Sequence, residues 1–230
     1  MLVDKNGQFL TQRTYPHLAN ISFDPITEER IIKCSYLGTN RFNFPLDSIT
    51  TTKIHVSIWD DSFKAFIYPE FVNDWFSQVL NIGCTLVHLP QMQIRTIYKS
   101  SVGKSFRVNF PDGYPLLLVS QVSIDDLNSR LTQPVHADRF RANIVVNGTQ
   151  VYSEDKWKTI RINDIPLKVV KPCARCNVIN VDQKTGNPAR EPLRTLSLYR
   201  KFDDGIHFGV NMLHLSEGLL SIGDKVEIIE

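Results

Sequence analysis

The sequence predicts a mostly β protein with a few short helices, an α+β chain divided into two domains. Short runs rich in β-branched and aromatic residues recur along it, turn residues separate them, and helical spacing of apolar residues is confined to two segments. With 230 residues, 42% of them hydrophobic, the chain can bury a substantial core. Pro90 and the polar, basic stretch after it interrupt the pattern. We therefore predict a smaller β-rich domain over residues 1–89 and a larger one over residues 90–230.

The first element is a predicted β-hairpin over residues 1–13. Leu2-Val3 and Phe9-Leu10 flank a turn that contains Asn6-Gly7, and Asn-Gly readily adopts the positive φ of a tight turn. A strand that starts at the first residue leaves a sheet edge without a partner. We therefore expect an earlier segment to be missing from this chain.

Strands and one helix follow in the first half. The predicted strands cover Ile31–Tyr36, residues 51–58 and residues 64–68. A helix is predicted to start near Pro69 and to stop before Gly83, because apolar residues recur there at three- and four-residue spacing. Residues 84–89 predict one more buried strand.

The second half continues with a strand, a short helix and another strand. Residues 116–119 and 144–148 are apolar runs that predict strands. Between them, Ser120 and Ser123 are candidate helix caps, and Ser123 with Asp126 three positions later is a weak capping box. Ile124 and Leu127 then fit an amphipathic helix.

Composition excludes several classes of function. The formal net charge is +2, with 26 basic and 24 acidic residues, so no general attraction to nucleic acid or anionic membrane is expected. No apolar run approaches the ~20 residues of a transmembrane helix, and residues 1–5 show no basic segment followed by an apolar one. Four cysteines are too few for a disulfide scaffold of this length. We expect free thiols and a cytoplasmic location.

The sequence lacks three common functional motifs. We find no glycine-rich phosphate loop, no dinucleotide-binding glycine pattern and no nucleophile elbow. The six histidines are scattered, and each is expected to be structural or exposed. Hydrolase chemistry therefore has little support.

The densest reactive chemistry lies in residues 171–176, which contain two thiols. Cys173 and Cys176 are accompanied by Lys171 and Arg175, and neighbouring cations favour the thiolate form that binds metals and attacks electrophiles. We expect at least one thiol of the pair to be reactive.

The residues alone leave three interpretations of this pair open. A thioredoxin-like redox pair would begin a helix, whereas residues 177–181 alternate like a strand. A structural zinc site could add Cys84 and His88, although positions four apart on a strand lie about 13 Å from each other. One exposed cysteine could instead be a thiolate ligand to a soft metal that another group already holds.

Arg141 and Asn143 precede a predicted strand and suit the recognition of an anion. A guanidinium offers a fork of donors to phosphate, and a carboxamide offers both a donor and an acceptor. Exposed loop arginines are common, so this pattern gains weight only if the cysteine pair lies nearby.

Several motifs, in their order along the chain, resemble the MOSC domain family, named for the C-terminal part of molybdenum cofactor sulfurase. The motifs that carry the resemblance are residues 112–120, 127–130, 139–146, 154–157, 172–176, 185–186, 191–196, 199–200, 208–211 and 222–227. Residues 1–89 are similar to the MOSC N-terminal domain. Within the family, the chain is particularly similar to the amidoxime-reducing components and to bacterial reductases of N-hydroxylated bases.

The resemblance implies a β-barrel-like MOSC domain that binds a molybdenum cofactor, Mo-molybdopterin. By position in the motif, Cys176 should be the metal ligand and Cys173 a neighbour that does not bind the metal. Ala174 and Arg175 should lie against the cofactor, Arg141 and Asn143 should hold its pterin and phosphate, and Cys176 with Arg175 should serve catalysis.

The implied reaction is the reduction of small N-hydroxylated substrates, namely hydroxylamines, amidoximes and N-hydroxylated bases, without pyridoxal phosphate. Electrons should come from a separate electron-transfer protein, a flavin reductase or a ferredoxin or cytochrome type, because no cysteines are spare for an iron–sulfur cluster. A carrier that delivers the cofactor or sulfur without turnover, or a structural zinc protein, is the alternative. Family members carry a Lys-Ser pair and an arginine upstream that this sequence lacks, so we expect weaker molybdenum binding than in a longer form.

Overall fold

A computed structural model describes residues 1–89, 95–99, 104–108, 110 and 113–230 of the chain, for residues 95–99 and 104–108 as backbone only. The chain forms two compact units. The first contains Met1–Tyr98, Ser105–Phe110 and Val181–Pro188, and the second contains Lys99–Lys104, Pro111–Asn180 and Ala189–Glu230. The boundary that the sequence predicts near residue 90 falls outside the described residues and stays a prediction.

Two antiparallel sheets and one helix make up most of the first unit. Its elements are β1 Leu2–Val3, β2 Ile21–Phe23, β3 Ile31–Tyr36, β4 Asn40–Pro45, β5 Lys53–Ile58, β6 Asp61–Ile67, α1 Glu70–Leu80 and β7 Thr85–His88. One sheet has the strand order β1-β7-β6-β5, and the other has the order β2-β3-β4. A short 3₁₀ helix at Pro16–Asn20 precedes β2.

The predicted elements of the first unit are present, β3 with the predicted bounds and the others with shifted ends. At the start of the chain, Val3 and Phe9 form a bridge around a turn in which Gly7 has a φ of 77°. A Cβ at Gly7 would lie 2.2 Å from the backbone oxygen of His55, so only glycine fits there. Helix α1 ends at Leu80, before Gly83 as predicted, and its C-cap residue Asn81 adopts the left-handed conformation.

The next elements are a two-stranded sheet, most of whose residues belong to the first unit, and then the one large sheet of the second unit. They are β8 Arg95–Lys99, β9 Lys104–Val108, β10 Leu116–Ser120, α2 Gln121–Asn128, β11 Ile144–Val146, β12 Thr159–Ile162, β13 Ile165–Ala174, α3 Leu193–Leu196, β14 Lys201–Phe202, β15 Gly205–His214 and β16 Val226–Ile228. The large sheet has the order β11-β10-β15-β13-β12-β16, with β14 paired to β15. Its β10–β11 pair is parallel, and its other pairs are antiparallel.

The large sheet encloses its own hydrophobic core. All six strands of the main path contribute apolar side chains to a single cluster, which includes Leu118, Ile160, Leu167, Val210 and Met212. One cluster shared by every strand is the arrangement of a sheet that curls on itself. The prediction of a mostly β chain with a barrel-like second part is confirmed.

A second cluster in this unit contains Val119 of β10, Phe208 of β15 and the apolar side of α2. Of the two candidate caps of α2, Ser120 stands at the N-cap position, without a side-chain capping hydrogen bond. Ser123 as a cap is wrong, because the helix starts at Gln121 and Ser123 lies within it. Its hydroxyl instead donates to Glu154 Oε1 at 2.9 Å. A buried acceptor supplied by a distant segment has outweighed the local capping pattern.

The prediction of a strand over residues 177–181 is also wrong. Asn177–Asn180 is a 3₁₀ helix, in which Ile179 is buried in the second cluster. Asn180 Oδ1 accepts a hydrogen bond from Leu193 N at 3.0 Å. These contacts with sequence-distant residues hold a tight turn where the local alternation indicates extension.

No helix in the described ranges is both long and apolar enough to cross a membrane.

Candidate functional site

Strand β13 carries the two thiols to one end of the large sheet. Its last residue, Ala174, is exposed and pairs with His207 of β15, and Arg175 N then donates to Ile206 O at 2.7 Å. Cys176 O accepts from Ile179 N at 3.3 Å, so Cys176 stands where the strand gives way to the 3₁₀ helix. Both thiols are free and partly exposed. An external group can therefore reach this strand end.

The side chain of Arg175 joins the cysteine segment to the segment that precedes Arg141. Its Nη1 donates to Cys173 Sγ at 3.3 Å, and its Nη2 donates to Phe140 O at 2.7 Å. Its Nε is buried and has no hydrogen-bond partner among the residues that the structure describes. The guanidinium thus holds Cys173 and Phe140 together and keeps one donor unused.

Arg141 follows a 3₁₀ helix at Ala137–Phe140 and adopts the left-handed conformation with a φ of 55°. Such a backbone is unfavourable for a residue with a Cβ, and unfavourable backbone conformations concentrate at functional sites. The Arg141 side chain is exposed, and within the described ranges it has no ion-pair partner. Its donors are therefore free for an anion.

Asn143 is fixed by its own strand end. Its backbone N donates to Leu117 O at 2.9 Å, and Leu117 N donates to Asn143 Oδ1 at 2.8 Å. The carboxamide oxygen is therefore occupied, and its Nδ2 group remains as an outward donor. Arg141 and Asn143 therefore both offer donors beside a strand.

The zinc alternative has no geometric support. No three His, Cys, Asp or Glu side chains come together to hold a metal in the part of the chain that the structure describes. Cys84 is buried, Ser77 Oγ accepts from its backbone N at 3.0 Å, and burial raises the pKa of its thiol. Burial also raises the pKa of Cys34 to about 11, so both thiols are structural.

The sequence argued against a redox pair because residues 177–181 alternate like a strand. This objection does not hold, because a helical turn follows Cys176. A thioredoxin-like pair nevertheless depends on the N-terminus of an α-helix to stabilise its thiolate. The turn here is a 3₁₀ helix of 4 residues, whose aligned dipoles are few. The single-thiolate interpretation fits the geometry better.

Two open cavities of the second unit were missed by sequence reasoning. The first has a volume of about 570 Å³ and is lined by Asp155, Pro172, Lys201, Phe202, Asp203, Asp204 and His207. The Phe202 ring stacks on His207 with centroids 4.7 Å apart, and Arg200, which pairs with Asp155, donates to His207 O at 3.2 Å. The turn residues Asp204-Gly205 were the one sequence signal here.

The second cavity, which we call the arginine pocket, has a volume of about 460 Å³. It is lined by Asn180, Arg190, Leu193, Arg194, Ser197 and Ile206. Arg190 and Arg194 are one turn apart, since Arg194 N donates to Arg190 O at 3.0 Å. Cys176, Arg175, Arg141 and Asn143 line neither cavity.

Comparisons with known proteins agree with this architecture. Residues 1–83 match the MOSC N-terminal beta barrel domain, and residues 105–227 match the MOSC domain. Mitochondrial amidoxime-reducing component 1 of Mus musculus is 31% identical, with 100% of this chain and 71% of that protein covered. Its Homo sapiens counterpart is also 31% identical, with 100% and 72% covered. Molybdenum cofactor sulfurase of Oryza sativa subsp. japonica is 31% identical over 91% of this chain.

Fold and site together define a two-unit β protein with exposed thiols at the end of a barrel strand. The chain belongs to the MOSC domain family, with a MOSC N-terminal beta barrel domain before the MOSC domain. It spans 28% of the length of the rice relative and somewhat over two thirds of the two mitochondrial relatives.

Proposed function

We propose that this chain is a molybdenum-cofactor oxidoreductase that reduces N-hydroxylated compounds, with electrons from a separate protein. Hydroxylamines, amidoximes and N-hydroxylated bases would become amines or amidines, and each turnover would use two electrons and two protons and release one water. Three relatives with 31% identity support this proposal, two named for amidoxime reduction and one for the molybdenum cofactor.

One observation carries the proposal: Arg175 links the two segments that the cofactor would need. Its guanidinium contacts Cys173 Sγ and Phe140 O, and Phe140 directly precedes Arg141. A thiol segment and a segment with free cationic donors therefore meet at one place. A soft thiolate suits molybdenum, and a guanidinium fork suits phosphate.

The residues present fit the cofactor. Cys176, partly exposed at the strand end, would be the metal ligand, while Arg141 and Asn143 Nδ2 would hold the pterin and its phosphate. Ala174 would contact the cofactor through its exposed backbone segment. The bound cofactor would supply the chemistry of oxygen removal from nitrogen.

Arg175 would act in two ways in this arrangement. By holding Cys173 and the Phe140 carbonyl, it fixes the turn on which Cys176 is placed. Its unpartnered Nε would donate to negative charge near the ligand. Four free thiols are consistent with a reducing compartment such as the cytoplasm.

Elemental analysis of purified protein tests the proposal. The wild-type chain should contain molybdenum and should reduce an aryl amidoxime when dithionite and methyl viologen supply electrons. Cys176→Ala should abolish this activity, whereas the matched variant Cys173→Ala should lose far less. Zinc without molybdenum would refute the proposal, and comparable losses in both variants would refute the division of roles.

The same assay separates an enzyme from a carrier. A chain that retains molybdenum but reduces no N-hydroxylated substrate with the artificial donor would be a carrier or delivery module. Turnover that depends on Cys176 would rule the carrier out.

A further inference from the structure

The arginine pocket is an electropositive surface without a role in the site described above. Arg190 and Arg194 are exposed, and neither has an ion-pair partner in the described part of the chain. Two other exposed arginines of this unit are neutralised: Arg130 pairs with Asp126 at 2.9 Å, and Arg161 pairs with Glu227. The pocket therefore keeps two uncompensated charges on one face.

The wall of the pocket adds a directed donor and apolar contact area. Asn180 is only 8% exposed, and Leu193 N donates to its Oδ1, so its Nδ2 group remains as a donor. Leu193 and Ile206 are half-buried in the lining, and the neighbouring Leu198 is 81% exposed. Arginines around an apolar centre are typical of protein interfaces.

The arginine pocket lies close to the proposed metal ligand. Asn180 ends the 3₁₀ helix that begins directly after Cys176, and four residues at about 2 Å each place it roughly 8 Å along the chain from Cys176. From a second side, Ile206 O accepts the hydrogen bond of Arg175 N at 2.7 Å. A redox centre docked here would be separated from Cys176 by one short turn.

We propose that the arginine pocket docks the acidic face of the electron-transfer protein that supplies this chain. The inference rests on the proposed function and adds the surface and the charge of the partner. Carboxylates of the donor would pair with Arg190 and Arg194, and its apolar contacts would cover Leu198. Long-range attraction between the opposite charges would speed the encounter of the two proteins.

Charge reversal in the full chain tests the proposal, with a plant-type ferredoxin as the acidic donor. The double variant Arg190→Glu/Arg194→Glu should lower the second-order rate of ferredoxin-supported amidoxime reduction at least roughly tenfold at low salt. It should also flatten the decrease of that rate with salt. Turnover with dithionite and methyl viologen should stay within about twofold.

Lys168→Glu is the matched control, because Lys168 is an exposed strand residue of the same unit with the same charge. Six residues of strand at about 3.3 Å each separate it from Ala174, or roughly 20 Å. This variant should leave the ferredoxin-supported rate unchanged. A loss equal to that of the double variant would mean that net charge, and not the pocket, controls the rate.

Calorimetric binding of oxidised ferredoxin requires no turnover and therefore separates the two proposals. Wild-type binding that the double variant loses supports the docking surface, and unchanged binding overturns it. Equal binding of a basic cytochrome c would also overturn it. A parallel loss of dithionite-supported turnover would assign the pocket to cofactor or substrate, whereas a wild-type chain inactive with dithionite would refute only the proposed function.

Discussion

Arg141 combines an exposed cation with a backbone conformation that favours glycine. Its φ of 55° lies in the left-handed region, where a Cβ costs about 1 kcal/mol or more. The 3₁₀ helix before it closes on this residue, since Arg141 N donates to Asp138 O at 2.9 Å. A position whose backbone favours glycine but whose side chain is arginine points to a use for the guanidinium.

Substitution at Arg141 should separate stability from cofactor retention. Arg141→Gly should raise the free energy of unfolding by about 1 kcal/mol relative to Arg141→Ala, because glycine relieves the backbone. Both variants should lose molybdenum relative to wild type. Urea unfolding and elemental analysis provide the two readouts, and full molybdenum in either variant would remove Arg141 from the proposed site.

Glu154 is a fully buried acid within the second unit. Ser123 Oγ donates to its Oε1 at 2.9 Å, while its Oε2 is buried and finds no hydrogen-bond partner in the described part of the chain. Burial, to which the nearby Asp155 carboxylate adds, raises the pKa of Glu154 above its ordinary value of 4.5. The folded state therefore binds the proton of this carboxyl more tightly than the unfolded state does.

This raised pKa makes the stability of the chain depend on pH. Below about pH 4.5 the contribution of the protonated carboxyl is fully present, and it is lost as pH rises through the raised pKa of the folded state. Relative to wild type, Glu154→Gln should therefore become progressively more stable above pH 4.5 and then reach a plateau. Urea unfolding at several pH values measures the difference, and a constant difference across the range would contradict the prediction.

At the scale of elements, β15 changes the face that it presents to the core. Ile206 and Phe208 belong to the second cluster, whereas Val210 and Met212, two and four residues further along, belong to the first. Residues two apart on a regular strand share a face. Gly209 has a φ of 73°, and the register with β13 is irregular at this point. A bulge at Gly209 thus lets one strand serve both cores.

Gly209 should therefore tolerate no side chain. A Cβ would lie 2.5 Å from Leu118 O and 2.7 Å from Val119 Cγ1, contacts that Gly209→Ala can relieve only by shifting β10. We expect a loss of about 3 kcal/mol or more in unfolding free energy. Gly148→Ala is the control, because Gly148 has a φ of 75° but nothing within 4 Å, and it should cost about 1 kcal/mol. Equal losses would show that φ alone limits both positions.

Local sequence patterns predicted the elements whose ends depend on neighbouring residues. They failed where contacts between sequence-distant residues determine the local structure. Strand β3 has the predicted bounds because its own residues alternate against two neighbouring strands. Apolar and polar residues also alternate over residues 177–181, yet Ile179 is buried in a cluster with residues of α2 and β15. Ser123 has the pattern of a cap, yet Glu154 occupies its hydroxyl. No local signal encodes either partner.

The residues of the candidate site and of the arginine pocket also differ in how far the sequence predicts them. Arg141 and Asn143 were singled out because a guanidinium and a carboxamide before a strand suit an anion, and Cys176 by its position in the MOSC motif. Their role in holding the cofactor stays a prediction. No sequence signal identifies Arg190 and Arg194, since only the folded structure distinguishes arginines with an ion-pair partner from arginines without one. The contact of Arg175 with Phe140 likewise depends on tertiary structure.

At the scale of the whole molecule, the first unit is built from three separate segments of the chain. Val181–Pro188 belongs to that unit although both of its flanks belong to the second. Asp182 stabilises this segment, Val181–Pro188, which we call the excursion. Its Oδ1 accepts hydrogen bonds from Lys184 N at 3.1 Å and Thr185 N at 2.9 Å, which close a turn. Gln183 Nε2 then donates to Gln12 Oε1 at 3.3 Å. The stability of the first unit therefore depends in part on residues that lie about 70 positions after its preceding segment, Ser105–Phe110.

Gly186 is the position at which this dependence can be measured. It has a φ of 70°, and a Cβ there would lie 2.9 Å from Asn20 Oδ1 and 3.1 Å from His17 Nδ1. Gly186→Val adds a β-branched side chain to a left-handed residue in that contact, so the excursion should pack less well against Pro16–Asn20. Hydrogen exchange should then report faster amide exchange at Leu18 and at its neighbours in this 3₁₀ helix.

The matched variant Gly148→Val introduces the same strain at a φ of 75° with nothing within 4 Å, in the second unit. It should leave exchange in the 3₁₀ helix of the first unit unchanged, because its strain is confined to its own unit. If Gly186→Val also leaves that helix unchanged, the excursion adds nothing to the first unit. If both variants speed exchange there equally, a general loss of stability, and not the contact of Gly186 with Asn20, is the cause.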